Sequence, residues 1–135
     1  MTAIAVIFIL IAMIGRVGAS ARQQAMRKEA AAMIGAIEIA IEMFQADLAR
    51  YPDDDNGIGS ANLYDNLVND TGETTWYGPY MEFKDEDISG GHIVDPWGEN
   101  YNYDCSSPSH NSGSFDLWSK GPDKANNTSD DVTNW

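Results

Sequence analysis

The stretch Ile34–Pro52, IGAIEIAIEMFQADLARYP, decides how this chain folds. Ile34, Ile37, Ile41, Phe44 and Leu48 recur at steps of three and four, which makes one side of a helix apolar. Glu38 and Glu42 fall off that stripe and read as a solvated face. Pro52 disfavours helical backbone at Tyr51 and stops the helix there. Upstream the pattern meets no obstacle. From Ala19 to Tyr51 there is no proline, Gly35 is the only glycine, and Ala, Met, Glu and Gln dominate.

Further outward lies TAIAVIFILIAMIG, Thr2 to Gly15, apolar throughout and ending against Arg16. The run is shorter than the roughly 20 apolar residues of a full membrane span. A signal peptide has a run of this size, but with basic residues before it. Here they follow, although VGASA (Val17–Ala21) resembles a cleavage region and keeps that reading as an alternative. As one continuous helix, residues 3–50 form a rod of roughly 70 Å at about 1.5 Å per residue. A chain of 135 residues makes a single domain and cannot bury such a rod. Its first half must be covered by lipid or by other subunits. Gly15 and Gly18 bracket Arg16, either to let helices pack closely or to mark a point where the rod bends.

Charge divides the chain at the same place. Residues 1–28 carry Arg16, Arg22, Arg27 and Lys28 and no acid, a charge of +4. Residues 29–135 carry all 21 acids against Arg50, Lys84, Lys120 and Lys124, a charge of −17. An acidic body without a basic, aromatic-laced patch repels phosphates, which excludes nucleic acid as a partner. Cys105 stands alone, so neither an intramolecular disulfide nor a cysteine-based metal site can form. The expected organisation is a hydrophobic helix arm over residues 1–28 and a globular part over residues 29–135. Within the latter, the helix continues over 29–51, a loop and short helix occupy 52–90, and a sheet with the C-terminal loop occupies 91–135.

After Pro52 the composition turns to turn-formers. Asp53, Asp54, Asp55, Asn56 and Gly57 make a solvated connection. The triple Asp does not fit an EF-hand, because with Gly57 in sixth place the first ligand position falls on Pro52. Ser60 is placed to cap a helix over Ala61–Val68, with Leu63 and Leu67 facing inward. TTWYGPYMEF (Thr74–Phe83) is rich in aromatics and is expected to pack under the long helix, followed by a polar turn over Lys84–Asp87. Short strands are expected at His92–Val94, Tyr101–Tyr103 and Ser114–Trp118. The turn clusters Asp95–Asn100 and Ser106–Gly113 separate them, giving one small antiparallel sheet against the stripe of residues 34–48. His92 and His110 lack metal-ligand spacing and read as a strand and a loop residue; no nucleophile elbow or phosphate loop is present.

The tail GPDKANNTSDDVTNW (Gly121–Trp135) gathers Asp123, Asp130 and Asp131 among turn-forming residues. Neighbouring carboxylates repel and raise each other's pKa unless a cation lies between them. Ca²⁺ suits such a loop, because it accepts carboxylate and carbonyl oxygens in flexible geometry. On spacing alone, a solvated acidic tail is the simpler reading. Three motifs change the balance: DPWGENYNY (Asp95–Tyr103), FDLWSKGPD (Phe115–Asp123) and DDVTNW (Asp130–Trp135), all downstream of a long helix ending at Tyr51-Pro52. In this order they resemble the major pseudopilins of type II secretion systems, within the type IV pilin-like superfamily. The resemblance covers nearly the whole chain and is weakest over residues 53–90 and at the N-terminus.

The resemblance implies an α+β fold, a long N-terminal helix packed on a small antiparallel sheet with an ordered C-terminal Ca²⁺ loop. Carried over to this chain, the side-chain ligands are Asp123, Asp130 and Asp131, aided by the backbone carbonyls of Lys120 and Ala125. The family polymerises with its helices bundled, the burial that the rod demands on physical grounds. The implied function is a structural filament subunit rather than an enzyme. Its partners would be copies of itself, minor pseudopilins and an inner-membrane assembly platform. The monomer would wait in the bacterial inner membrane, and the filament would lie in the periplasm or outside the cell. The family's Phe-Thr-x-x-Glu start after a basic leader is not found, and Met1 aligns several residues inside the family's helix. Competing readings are a long surface fibre, a membrane-anchored monomer binding Ca²⁺ or glycans, and a small hydrolase.

Overall fold

The computed structural model describes the backbone of residues 2–135 and the side chains of residues 18–135. Helix α1 spans Thr2–Leu48 without a break, 47 residues in all. The side chains of the apolar run Thr2–Gly15, on which the lipid-or-subunit argument rests, lie outside the described ones. α1 stops earlier than Pro52 alone requires. Ala49 takes a left-handed conformation at φ 57°, and its N–H donates to the Gln45 carbonyl at 2.8 Å. This left-handed cap ends the helix three residues before the proline. Pro52 is itself buried, and its carbonyl accepts the Tyr103 hydroxyl at 3.1 Å.

The predicted stripe is the core. Ile34, Ile37, Ile41 and Phe44 are buried, together with Ala30 and Ala40 from the same side of α1. Opposite them lie Leu63 and Leu67 of α2 (Ala61–Val68), and Ile93, Tyr101, Tyr103, Phe115 and Leu117. The aromatic segment contributes at the margin: Tyr80 meets Phe44 edge-on at 5.6 Å, and Trp76 meets Tyr80 at 5.7 Å. Tyr77 points out to solvent.

Two small sheets replace the single one expected. β1 (Ile88–Ser89) and β2 (His92–Ile93) form one antiparallel pair. β3 (Asn102–Asp104), β4 (Asp116–Ser119) and β5 (Val132–Thr133) form the other, with β4 central. The split occurs at the DPWGEN turn. The buried Asp95 carboxylate accepts the backbone N–H groups of Trp97 at 3.0 Å and Glu99 at 2.9 Å, and the Ser119 hydroxyl at 2.5 Å. That turn leaves only a single bridge, Val94 to Asn100, between the two sheets' strands. β5 pairs Thr133 with Trp118 and Val132 with Ser119, so part of the tail is sheet. α1 packs against both β4 and β5. On the far side, the N–H of Tyr103 in β3 donates to the Gly59 carbonyl at 3.1 Å.

The triple Asp is not merely solvated. Asp55 caps α2, its Oδ2 accepting the N–H groups of Ala61 at 2.7 Å and Asn62 at 3.2 Å. Ser60 does not cap; its hydroxyl bonds to the backbone of Ile93 at 3.0 Å and so ties α2 to β2. Asp54 Oδ2 accepts the N–H groups of Cys105 at 2.9 Å and Ser106 at 2.8 Å. Partial burial raises the Asp54 pKa, but the donors from Cys105, Ser106 and Asn56 outweigh it and hold the carboxyl down at about 2. The stabilisation is therefore complete above about pH 4 and lost as pH falls toward about 2, because the unfolded chain takes up the proton first. Thermal melts across that range should show this acid limb, and Asp54→Asn should remove part of it.

Candidate metal centre

β4 delivers the chain to Ser119, a turn follows over Gly121–Lys124, and β5 takes it up again at Val132. Between those fixed points the loop closes on itself. Gly121 adopts φ +67°, and its Cα faces the backbone of Asp130; a Cβ there would lie 2.3 Å from the Asp130 carbonyl oxygen. Lys124 and Asn127 also take positive φ, at 57° and 62°. These turns bring one carboxylate oxygen each from Asp123, Asp130 and Asp131 within 4.8 Å of one another.

That spacing fits one coordination sphere. Oxygens on opposite sides of a Ca²⁺ bound at about 2.3–2.6 Å lie about 4.6–5.2 Å apart. The donor set is hard and anionic, which suits Ca²⁺. Lys124 of the same loop pairs with Glu99 at 3.3 Å. Backbone donors hold each carboxylate: Asp130 Oδ2 accepts the Asp123 N–H at 3.1 Å, Asp123 Oδ1 that of Ala125 at 2.9 Å, and Asp131 Oδ2 that of Asn127 at 2.8 Å. Crowding does not raise the pKa of Asp130, as mutual repulsion would predict. The Thr128 hydroxyl holds it below the usual carboxylate value against an opposing desolvation, and the Asp123 N–H adds to the lowering.

Thr128 is the residue that sequence reasoning missed. Its Oγ1 lies 2.5 Å from Asp130 Oδ1, 2.9 Å from Asp131 Oδ1 and 3.3 Å from the Ala125 carbonyl. The only visible signal was its place in the Asn126-Asn127-Thr128 triplet, two residues before the Asp pair. The Ala125 carbonyl thus faces Thr128 beside the cluster. The Lys120 carbonyl stands at the loop's entrance, before Gly121. His92 and His110 stay apart from the cluster. His92 Nδ1 accepts the Ser60 N–H at 3.1 Å, and His110 contacts Asp116 at 3.2 Å.

The chain's last residues are anchored to α1. Asn134 Nδ2 donates to Glu38 Oε1 at 3.1 Å and to the Phe115 carbonyl at 3.2 Å, while its Oδ1 accepts the Leu117 N–H at 2.9 Å. Glu38 is therefore half-buried and engaged, where the helical pattern suggested a solvated face. Trp135 stacks on His110 with centroids 3.9 Å apart and planes 4° from parallel.

A helix of this length laid across two small antiparallel sheets, with its terminal loop bound back onto it, defines a pilin-like subunit. The family model described as type II secretion system protein G matches residues 18–135, and the chain belongs to that family. It is 30% identical to the type II secretion system core protein G of Klebsiella pneumoniae over 118 residues, 84% of this chain and 73% of that relative. To the core protein G of Escherichia coli strain K12 it is 31% identical over 115 residues, 84% of this chain and 70% of that one. A solved structure, the major pseudopilin from the type 2 secretion system of enterohaemorrhagic Escherichia coli, matches with a TM-score of 0.54 and 25% identity, over 86% of this chain and 87% of that one. The fold is that of a major pseudopilin. These relatives are core proteins of type II secretion systems, structural components and not enzymes. Among the described residues no helix is long and apolar enough to cross a membrane.

Proposed function

We propose that this chain is the repeating subunit of a type II secretion pseudopilus, polymerised through α1 and stabilised by Ca²⁺ in its C-terminal loop. The observation that carries the reading is a second apolar stripe on α1. Ala32, Ala36, Ile39, Met43 and Ala46 recur at steps of four and three on the side facing away from the core. Ile39 is 62% exposed and Met43 50%. A helix serving one body needs a single apolar side; a second one calls for another helix. Copies of α1 supply it, and minor pseudopilins of the same build extend it. Insertion of the N-terminal arm in the inner membrane before assembly, and a filament reaching beyond it, complete the reading.

Electron microscopy of the purified protein tests it. Filaments with a helical repeat are expected, and Ile39→Glu with Met43→Glu should abolish them while leaving the monomer's circular dichroism unchanged. Dispersed particles from the parent protein would instead favour an anchored monomer.

In the loop, Asp123, Asp130 and Asp131 would hold the ion, which would offset their mutual repulsion and fix the turn against β4 and β5. Ca²⁺ at about 100 times its dissociation constant stabilises the folded form by about 2.7 kcal/mol. Chelation with EGTA should therefore lower the parent's melting temperature by roughly 8–10 °C, at roughly 3–4 °C per kcal/mol for a chain of this size. Asp123→Ala or Asp131→Ala should melt low in Ca²⁺ and show no EGTA response. An equal response in parent and variants would rule out this site.

A further inference from the structure

Two charged grooves flank α1 at the same height, on opposite sides. The first, of about 610 Å³, runs between the helix and β5 and is lined by Arg27, Lys28, Gln24 and Thr133, with Asp131 at its far end. Arg27 and Lys28 are exposed and make no ion pair among the described residues. The second, of about 320 Å³, lies between the helix and the segment Glu86–Gly98 and carries the carboxylates of Glu29, Glu86, Asp87 and Asp95. Lys84 offers a counter-charge at its edge, 3.6 Å from Glu86. Positions 24, 27, 28 and 31 lie about half a turn from positions 29 and 33 on the helix surface.

Resting on the filament reading above, we infer that the acidic groove of one copy seats against the Arg27–Lys28 groove of a second copy. The second copy is the occupant because the chain holds its unpaired cations and its excess of acid on different flanks of one rod. Two copies related by a twofold axis would present like charges to each other, or leave both grooves unmet. Copies side by side present opposite charges, and each retains one free groove of either sign. Such a contact is heterologous and continues from subunit to subunit rather than closing. Exposed ion pairs are individually weak, so the contact depends on several acting together and weakens with salt.

The test uses the full chain and two variants: Arg27→Glu with Lys28→Glu, and Glu29→Lys with Glu86→Lys. All four side chains lie at the surface, so each variant should keep the parent's circular dichroism. Each alone should yield about tenfold less sedimentable filament than the parent. An equimolar mixture should recover the parent's yield to within about threefold, because the reversed groove of each variant fits the reversed groove of the other, and the two unreversed grooves fit likewise. In parallel, a carbodiimide crosslink on mixed ¹⁴N and ¹⁵N parent protein should join Lys28 of one copy to Glu86 or Asp87 of another. Filaments that form equally well from all samples, with no such crosslink, would overturn the contact while leaving polymerisation intact. The crosslink without filaments would keep the contact and reject the filament reading. Failure of the mixture to recover would also overturn the contact, since it shows that the two surfaces do not meet each other.

Discussion

Replacing Phe44 with alanine is expected to destabilise the folded chain by about 3–5 kcal/mol, the usual range for truncating a fully buried aromatic. Phe44 has no exposed surface and closes the core between α1 and the aromatic segment, with Tyr80 edge-on at 5.6 Å. Neither neighbour can collapse into the space. Tyr80 is held by its hydroxyl on Asp47 at 2.9 Å, and α1 is rigid. A loss of this size is a large share of a single domain's total stability of about 5–15 kcal/mol. Urea titration followed by circular dichroism would measure it. A change under about 1 kcal/mol would mean that the helix and the body are packed otherwise than described. Met43, its neighbour on α1 but half exposed, provides the control. Met43→Ala should leave monomer stability within about 0.5 kcal/mol of the parent, as surface changes usually do.

Gly121→Val should be comparably severe, for a different reason. Gly121 sits at φ +67°, where a β-branched residue is strained by about 1–2 kcal/mol. The added Cβ would also fall 2.3 Å from the Asp130 carbonyl oxygen, a backbone atom that cannot yield without opening the loop. The combined effect expected is a loss of about 3 kcal/mol or more, together with the EGTA response, because the three carboxylates no longer converge. Gly113→Val separates the two causes. It has a similar φ of +83° and nothing within 4 Å of its would-be Cβ, so it should show the strain alone. Calorimetry with and without Ca²⁺ would decide the matter. Equal effects at the two glycines would remove the steric argument.

The helix was legible in the sequence because its apolar spacing is dictated by one period, and Ile34, Ile37, Ile41 and Phe44 are buried accordingly. Its end was not, because Ala49 in a left-handed conformation carries no sequence mark, unlike Gly or Asn at such caps. α2 was legible in extent, yet its capping residue was misassigned. Asp55 reaches Ala61 from six residues away, and only the folded loop brings it there. β5 escaped notice because a strand of two residues between Asp131 and Asn134 has no alternation to read. The convergence of Asp123, Asp130 and Asp131 followed from their spacing only once the surrounding motifs were considered; the part of Thr128 did not follow at all. Side chains that act through tertiary proximity, Asn134 on Glu38 among them, leave no local signature.

The three-stranded sheet has a further significance in how its borders are finished. β3 offers its Tyr103 N–H to Gly59 of a covering loop, and β5 is two residues long and lies against α1. Open strand borders are where proteins stick together wrongly, by adding one another's backbone to a growing ribbon. A chain that polymerises as proposed faces that danger more than most. Here both borders are blunted, which leaves the rods and charged flanks of the proposed assembly as the surfaces on which copies would meet. In the proposed assembly, the fold thereby separates ordered association from amyloid-like accretion.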